Sequence, residues 1–335
     1  MSTQDKAIRY AFMMREDINA AKGIASDESA VSMIVQYPSA VLSILENQET
    51  REAILEERSS APFVYQVLSQ YTPIYESGTG TTLNERNWQT ERILNNIIGR
   101  SFGGGFIVSA REDRNDNPFI LIDGGASGDS YQREADGDGN PDSTSDGQMN
   151  WNKTDDVVFD SYTDDLEKND GQYLTNEILD YIRSNDESWS DWPIFNFIRQ
   201  IRGEAISGFN DWYIPGQDST SNFGVRNSCE QTATPGSATE GESENADLFW
   251  YLLKGMDSDR DYNSSYCYPD WIIPEHQSKF FSADNAEEAF DVFDYWSSTE
   301  SGSEAYTLHF NVGRQSPGTK SATPRCVRVV RRVYT

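Results

Sequence analysis

The first sixty residues repeat a pattern of apolar positions every ten residues. Four consecutive segments, which begin at Asp17, Asp27, Tyr37 and Asn47, each carry isoleucine at the eighth position. Within one segment the fourth, fifth, eighth and ninth positions share one face of a helix. Most of the residues at these positions are small or apolar. They are Ala20, Ala21, Ile24 and Ala25 in the first segment, Ala30, Val31, Ile34 and Val35 in the second, Ala40, Val41, Ile44 and Leu45 in the third, and Thr50, Arg51, Ile54 and Leu55 in the fourth.

The period of ten residues excludes a single continuous helix. Ten residues rotate the apolar face by about 80° from one segment to the next, so a straight helix would scatter its isoleucines. Each segment is therefore predicted to be a short helix followed by a turn, with Asp17, Asp27 and Asn47 as N-caps and Pro38 at a first helical position. So short a helix cannot bury its own apolar stripe, and the segments must pack on each other or on sister chains. A plain amphipathic helical hairpin is the alternative.

A change of pattern divides the chain into three regions. The helical repeat region is predicted to span residues 1–76, with weaker matches to the ten-residue period from about residue 7 to residue 76. A connecting helix is expected over residues 77–98, where apolar residues recur at helical spacing. The third region, residues 99–335, starts with consecutive glycines and then carries strand-like and helix-like segments.

The third region is predicted to combine an antiparallel sheet with helices. The apolar runs 106–108 and 118–122 flank a charged turn and are expected to form a β-hairpin. Helices are expected over residues 175–184 and 194–206. Near the end of the chain two runs alternate apolar and polar residues, as half-buried antiparallel strands do. The fold class is therefore predicted to be α+β.

Two aromatic motifs occur in this region in a distinctive order. The first, G-F-N-D-W-Y-I-P, begins at Gly208; the second, Y-W-S-S-T-E, begins at Tyr295 and is followed by Lys320 and by R-C-V-R from Arg325. With the glycine-rich start and the helices, this order resembles the C-type-lectin-like domains at the C termini of bacterial collagen-like adhesins and of phage fibre and tropism proteins. The resemblance covers residues 99–333. It implies a mixed, mainly antiparallel sheet with two or more helices, pairing of the first and last strands, and long loops that carry recognition.

Six residues of the two motifs are interpreted mainly as structural, and they are Asn210, Asp211, Trp212, Trp296, Ser297 and Ser298. The two tryptophans are expected to anchor the core, since a large ring with one N–H packs well where a loop leaves a sheet. The Asn-Asp pair is expected to hold its turn through local side-chain hydrogen bonds. The two serines are expected to hydrogen-bond a neighbouring loop. Direct contact of these residues with a ligand is the alternative.

The sequence departs from the lectin and enzyme patterns of this family. Animal lectins hold sugar through calcium with E-P-N or Q-P-D and W-N-D triplets, and none of these triplets occurs here. The related formylglycine-generating enzymes need a cysteine pair for copper chemistry, whereas Cys229, Cys267 and Cys326 are widely spaced. Buried reduced thiols are expected, with a Cys229–Cys267 disulfide as the alternative. The chain is not expected to be an enzyme.

An acidic insertion over residues 124–170 contains a motif typical of a metal site. Oxygen ligands at alternate positions, separated by glycines, suit Ca²⁺, and here they are Asp136, Asp138, Asn140 and Asp142. A full EF-hand would place Glu at the twelfth position, where this chain has Gly147. Calcium is therefore a candidate ligand of an incomplete loop. A solvated acidic loop that binds no metal is the alternative.

The long segment between the two aromatic motifs, residues 217–294, is predicted to carry the recognition surface. Its aromatic residues stand among Ser, Asn, Asp and Gly, as in binding loops where rigid rings supply contact area at low entropic cost. The candidate receptor-binding residues are Tyr262, Tyr266, Tyr268 and Trp271. Packing of the aromatic rings beneath the loops is the alternative.

Charge and composition exclude several classes of function. The chain of 335 residues has 27 Lys+Arg against 55 Asp+Glu, a formal net charge of −28. This charge repels polyanions, so no nucleic-acid binding is expected. No apolar run approaches the roughly 20 residues that span a bilayer, and the polar start carries no visible secretion signal. Membrane insertion is therefore not expected.

The ten-residue repeat also resembles the stalk segments of bacteriophage tail-fibre and appendage proteins. The two resemblances together imply a virion protein, made in the host cytoplasm, whose N-terminal region attaches to other virion proteins and whose C-terminal domain binds a host-surface glycan or protein. A homotrimer is expected, because fibre stalks wind three chains and the repeats need partners to hide their apolar face. The alternative is a structural collar, neck or capsid decoration protein that contacts other virion proteins.

Overall fold

The computed structural model describes residues 2–71, 88–124, 149–159, 170–205, 208–217, 244, 294–309, 314–321 and 325–335. In these ranges the chain combines helices with antiparallel strands, so the predicted α+β class is confirmed. The chain divides into two compact units, the first comprising Met1–Tyr75, Thr81–Ile122 and Arg332–Thr335, and the second Glu76–Gly80 and Asp123–Arg331. The first unit therefore contains residues on both sides of the boundary expected at residue 99.

Seven α-helices and one 3₁₀ helix (Arg58–Ser60) precede the strands in the part of the first unit that the structure describes. The α-helices are α1 (Thr3–Glu16), α2 (Ile18–Ala25), α3 (Glu28–Ile34), α4 (Pro38–Leu45), α5 (Gln48–Leu55), α6 (Ala61–Tyr71) and α7 (Trp88–Asn95). Helices α2 to α5 begin ten residues apart and are seven or eight residues long. Each of the four ends before the next ten-residue segment starts, so the chain turns before its apolar face rotates away.

Caps separate the four short helices. The side chains of Asp17, Asp27 and Asn47 each accept a hydrogen bond from a backbone N–H in the first turn of their helix. Helix α4 follows Tyr37, whose side chain makes no capping hydrogen bond, and it begins with Pro38. The fixed φ of proline suits a first helical turn, and each polar N-cap stabilises its helix by about 1 kcal/mol.

The apolar positions of the ten-residue segments are buried within one chain. Ile34, Ile44 and Ile54 are fully buried, whereas Ile24 is half-buried. Helix α1 contacts α2, α3 and α4, and α4 also contacts α5 and α7; α3 and α4 are bent by 110° relative to each other. The segments thus cover each other without a sister chain. The need to hide these apolar faces therefore no longer supports the predicted homotrimer.

Truncation of a buried isoleucine should destabilise the first unit. We expect Ile44→Ala to lower the free energy of unfolding by about 2–5 kcal/mol, because the side chain loses its contacts and leaves a cavity. Ile24 occupies the same position of the first segment and is less buried. Ile24→Ala is therefore the matched control, and it should lower the free energy of unfolding by clearly less. Urea unfolding followed by far-UV circular dichroism measures both losses. Equal losses in the two variants would contradict the burial pattern.

The described strands form two sheets. The strands are β1 (Ser101–Phe102), β2 (Gly105–Glu112), β3 (Pro118–Asp123), β4 (Asp294–Ser301), β5 (Glu304–His309), β6 (Arg314–Thr319) and β7 (Val330–Tyr334). One sheet has the order β1-β2-β3-β7, and the other has the order β4-β5-β6. A β-hairpin was expected from residues 106–108 and 118–122, and β2 and β3 are neighbours joined by a turn in which Asp113 N donates to Asn117 O.

Strand β3 lies between β2 and the last strand of the chain. The backbone N–H of Thr335 donates to Pro118 O at 3.2 Å, and that of Gly124 donates to Val329 O at 2.9 Å, so β3 and β7 are antiparallel. The family resemblance implied that the first and last strands pair directly. The structure instead places β2, which contains the predicted first strand 106–108, and β7 in one sheet with β3 between them, because β1 and β3 occupy the two edges of β2.

Among its described residues, the second unit combines two α-helices and a 3₁₀ helix (Trp189–Asp191) with the three-stranded sheet. Helix α8 (Gly171–Ser184) packs against β4 and against α9 (Pro193–Glu204). Strand β4 pairs with β5 and has an irregular register between Trp296 and Glu300. The ring of Trp151 lies 5.8 Å from that of Trp192 and 4.8 Å from that of Phe195. These three buried rings form an aromatic core beside α9.

None of the described helices has, by itself, the length and hydropathy of a membrane span. Helices α3 and α4 reach them only when taken together, and these two are bent by 110° relative to each other.

Candidate functional site

The two aromatic motifs come together in the second unit. The backbone N–H and the hydroxyl of Ser298 both donate to Pro215 O, at 3.1 and 3.3 Å. The backbone N–H of Gln217 donates to Thr299 Oγ1 at 2.9 Å, and its side-chain amide donates to Thr307 O at 3.2 Å. Strand β4 therefore holds the segment that leaves the first motif, in line with the expected hydrogen bonds to a neighbouring loop.

The motif tryptophans and serines are buried. Trp296 and both serines, Ser297 and Ser298, have no exposed surface, and Trp212 is 2% exposed. The indole Nε1 of Trp296 donates to Met149 O at 2.7 Å. The hydroxyl of Ser297 donates across the sheet to a backbone carbonyl of β5 at 3.0 Å. These side chains support the fold and do not present a surface to a ligand.

Asp211 pairs with a residue far along the chain. It accepts two hydrogen bonds from Arg331, at 2.8 and 2.9 Å. The guanidinium of Arg331 also lies 3.6 Å from the centre of the Phe209 ring. Asn210 is exposed. The first motif is thus fastened to the last strand of the chain, because a planar guanidinium fits a carboxylate with two parallel hydrogen bonds.

A buried ion pair lies at the end of the second motif. Lys320 Nζ is 2.5 Å from Glu300 Oε1, and neither side chain has exposed surface. The ammonium also donates to Asp156 O at 2.7 Å and to Gly302 O at 3.1 Å, and it lies 4.5 Å from the centre of the Trp151 ring. The three ammonium protons therefore have three oxygen acceptors.

The same ion pair holds a neighbouring stretch of backbone. Glu300 Oε2 accepts hydrogen bonds from the N–H groups of Val158 and Phe159, at 3.1 and 2.6 Å. Next to it, the carboxylate of Asp155 accepts from the backbone N–H and the hydroxyl of Ser321, at 2.9 and 2.7 Å. Residues 155–159 are thus fastened to strand β4 and to the end of β6.

Burial shifts the pKa values of both residues of this ion pair. It raises the pKa of Glu300, and Lys320 with the two backbone N–H groups opposes that rise. Burial lowers the pKa of Lys320, and Glu300 opposes that change. Hydrogen bonds to the charged forms favour them. Since the ammonium donates to three oxygens and the carboxylate accepts from backbone N–H groups, we describe the pair as ionised.

A second buried carboxylate, that of Glu244, connects the first motif to helix α8. Its Oε1 accepts a hydrogen bond from the hydroxyl of Tyr213 at 2.5 Å. Its Oε2 accepts from the backbone N–H groups of Gly171 and Gly216, at 3.1 and 2.9 Å. The start of α8 therefore lies directly against the backbone that follows the first motif.

A third buried carboxylate is paired with the R-C-V-R motif. Arg328 Nε and Nη2 donate to the two oxygens of Asp123, at 2.7 and 2.5 Å, and both side chains are buried. The backbone N–H of Gly124 then donates to Val329 O. The end of β3 is fixed to the final segment of the chain by charge and by backbone pairing together.

These contacts fix the described residues that flank the long acidic and aromatic segments. Gly124 and Met149, on either side of residues 125–148, are hydrogen-bonded to Val329 and to Arg325. Gln217 and strand β4, on either side of residues 218–293, are joined through Thr299. The described residues on either side of each segment are thus held by hydrogen bonds within the second unit.

The three buried carboxylates described above and the described cysteine, which is also buried, form no group that could hold a metal ion. No group of three or more His, Cys, Asp or Glu residues that could hold a metal ion occurs among the described residues. The carboxylates of Glu300, Glu244 and Asp123 are buried and engaged in ion pairs or backbone hydrogen bonds. Cys326 is buried.

The predicted ligand-contacting residues lie outside the residues that the structure describes. They are the receptor-binding candidates Tyr262, Tyr266, Tyr268 and Trp271 and the calcium candidates Asp136, Asp138, Asn140 and Asp142. Cys229 and Cys267, and with them the alternative disulfide, also lie outside this part of the chain.

Sequence reasoning missed the residues that hold the site together. No role was assigned to Trp151, Glu244, Glu300 or Lys320, although two of them stand in or beside recognised motifs. A usable signal was present: Lys320 and the arginines of the last segment stand in strand-like runs of a strongly acidic chain, where a buried cation needs a carboxylate partner.

Comparisons with known proteins found no relative of this chain. A scan against protein-family models, a search of curated proteins and a search of solved structures each found no match. The function is therefore argued from the residues of this chain.

Proposed function

We propose that the chain is a bacteriophage virion appendage protein, a tail or neck fibre component that binds a host-surface receptor through a C-terminal lectin-like domain. One observation carries the proposal. The two aromatic motifs are joined by buried hydrogen bonds through Pro215, Gln217 and Ser298, and the segment between the motifs is rich in aromatic and small polar residues. A rigid base that fixes both ends of such a segment is typical of binding domains that carry recognition on loops.

Binding fits the described residues better than catalysis. A catalytic acid or base must reach its substrate, whereas the carboxylates of Glu300, Glu244 and Asp123 are buried in the scaffold. The receptor would be a host-surface glycan or protein that offers flat apolar area and hydrogen-bonding groups to Tyr and Trp rings.

The N-terminal unit is proposed to attach the protein to the virion. Its helices form a compact body whose apolar core is covered within the chain. Trp88 of α7 nevertheless remains 60% exposed, and aromatic side chains are enriched at protein–protein contacts. The same observation favours the second candidate, a collar, neck or capsid decoration protein, in which both units contact virion neighbours.

The receptor proposal is tested by adsorption of the purified, fluorescently labelled protein to cells of the phage host. We expect adsorption and competition with infection, and we expect Tyr266→Ala with Trp271→Ala to reduce adsorption at least roughly tenfold, since each anchor ring contributes over 1 kcal/mol. Trp88→Ala, which removes an exposed ring of α7, is the matched control and should adsorb as the unchanged chain does. Tight association with purified virions or neck proteins, without adsorption to cells, would overturn receptor binding in favour of the decoration role.

A further inference from the structure

Exposed apolar side chains concentrate at the start of the first unit. Six large apolar side chains are exposed among the described residues, and four of them are Ile8, Phe12, Met13 and Ile18. Phe12 is 63% exposed and Ile8 is 52% exposed. Three of the four belong to α1, so this one helix presents an apolar surface to solvent.

Helix α1 has two distinct faces. Its inner face buries Ala7, Ala11 and Met14 and contacts α2, α3 and α4. Ile8 and Phe12 are four residues apart, and Asp5 precedes them by three residues while Arg15 follows by three. This spacing of three, four and three places all four side chains on one stripe, the a/d seam of a helix that pairs with another helix. We call this stripe the outer seam of α1.

The charges at the two ends of the outer seam are opposite. The carboxylate of Asp5 accepts a hydrogen bond from the backbone N–H of Ser2 at 3.0 Å, and its hydrogen bonds with Ser2 lower its pKa, so it is negative near neutral pH. Arg15 is exposed and donates to Ser43 at 3.1 Å. A parallel bundle would bring Asp5 against Asp5 and Arg15 against Arg15. An antiparallel pair brings each Asp5 against an Arg15.

We propose that the outer seam of α1 is the surface on which a second copy of this chain docks, with the two α1 helices antiparallel about a two-fold axis at the level of Tyr10. In that arrangement Ile8 of each copy faces Phe12 of the other, and Asp5 of each copy faces Arg15 of the other. A two-fold interface must be self-complementary, and the outer seam satisfies this in both its apolar and its charged positions.

The charge of the whole chain also favours this surface. Two copies with a formal charge of −28 each repel one another over most of their surface. Helix α1 is an exception, because it carries three basic residues, Lys6, Arg9 and Arg15, against the two acidic residues Asp5 and Glu16. Contact at α1 therefore meets less repulsion than contact at the acidic remainder of the chain.

The size of the outer seam sets the strength of the contact. A helix of 14 residues is about 21 Å long, and one such helix pair buries less area than the roughly 1,200 Å² of standard stable interfaces. We therefore expect reversible association in the micromolar range. The inference does not depend on receptor binding, because it concerns only the first unit.

Sedimentation velocity of the full chain over a concentration series tests the proposal, in about 0.3 M NaCl so that the long-range repulsion is screened. We expect a monomer–dimer equilibrium. Phe12→Glu should raise the dissociation constant at least roughly tenfold, since it puts a charge into the apolar centre of the contact. Met13→Glu makes the same charge change at another exposed position of α1, off the outer seam, and should leave the constant within about twofold. Far-UV circular dichroism should be the same for all three proteins.

The antiparallel orientation has its own test in two single-cysteine variants, Ile8→Cys and Phe12→Cys. A mixture of the two variants should cross-link under mild oxidation more than either variant alone, and the unchanged chain controls for its own three cysteines. A chain that stays monomeric at every concentration, a trimer, or cross-linking that is strongest within one variant would each overturn the proposal. So would equal weakening by Phe12→Glu and Met13→Glu.

Discussion

Lys320→Met is expected to lower the free energy of unfolding of the second unit by about 3–5 kcal/mol, because it leaves the carboxylate of Glu300 buried without its cation. The variant also loses the contact of the ammonium with the Trp151 ring and its hydrogen bonds to Asp156 and Gly302, so the loss reports the missing charge with all of its contacts. Urea unfolding followed by tryptophan fluorescence measures the loss.

Two further variants separate the buried charge from other effects. Arg183→Met removes the cation of an exposed ion pair with Asp180 and should cost less than about 1 kcal/mol. Glu300→Gln combined with Lys320→Met should recover a large part of the stability, since an amide oxygen still accepts from Val158 and Phe159 while no buried charge remains. A double variant as unstable as Lys320→Met alone would contradict this account.

The defect of Lys320→Met should also depend on pH. Burial raises the pKa of Glu300, and removal of Lys320 takes away the main interaction that opposes the rise. A group whose pKa is raised by folding favours the folded state at low pH, and this contribution is lost as the pH rises through the folded pKa. The difference in stability between the variant and the unchanged chain should therefore be smaller at acidic pH than at neutral pH.

Gly171→Ala is expected to destabilise the second unit by about 3 kcal/mol or more, because the added methyl group overpacks a rigid site. A Cβ at this position would lie 2.3 Å from Gly216 N, 2.4 Å from Ile214 O and 2.5 Å from Glu244 Oε2. Two of these atoms belong to the backbone, one within the first aromatic motif (Ile214 O) and one directly after it (Gly216 N). The substitution must push α8 away from that backbone, and thermal unfolding measures the cost.

Gly203→Ala is the matched control for this prediction. Gly203 lies in α9, and a Cβ there would meet no atom within 4 Å. Alanine should stabilise that helix by about 0.5–1 kcal/mol, since it loses less backbone entropy on folding than glycine does. If both alanine variants raised the melting temperature, the close approach of α8 to residues 214–216 would be wrong.

Both stability predictions concern the proposed function, because the scaffold of the second unit is proposed to support the receptor-binding segment. Lys320 and Gly171 belong to the residues that hold the flanks of the acidic and aromatic segments. Variants at these two positions should weaken receptor adsorption because they destabilise the second unit. Neither residue is proposed to contact the receptor. A variant at Tyr266 or Trp271 should weaken adsorption while the melting temperature stays unchanged.

Local structure was predictable because it depends on neighbours in sequence. The ten-residue period indicated short helices with turns, since no long helix keeps one face over that period, and Asp17, Asp27 and Asn47 indicated where those helices begin. The alternation of apolar and polar residues indicated the strands, and the glycine-rich start with its charged turn indicated the β-hairpin.

Long-range pairing was not predictable to the same degree. Among 27 basic and 55 acidic residues, no sequence rule selects Lys320 for Glu300, Arg331 for Asp211 or Arg328 for Asp123. Each pair forms because the fold buries both partners together, and a buried charge is stable only beside its counter-charge. The position of β3 between β2 and β7 likewise depends on which strand edges remain open after the hairpin has formed.

The sequence by itself determined the α+β class, the short helices with their caps, the strong negative charge and the two motifs that anchor the second unit. These follow from periodicity, local hydrogen bonding and composition, which involve residues close in the chain. Only the tertiary structure decided that the ten-residue segments bury their apolar faces in one chain, that the motif side chains lie inside the scaffold, and that α1 retains an apolar stripe in solvent. Those outcomes depend on contacts between distant residues, and burial is a property of the whole fold.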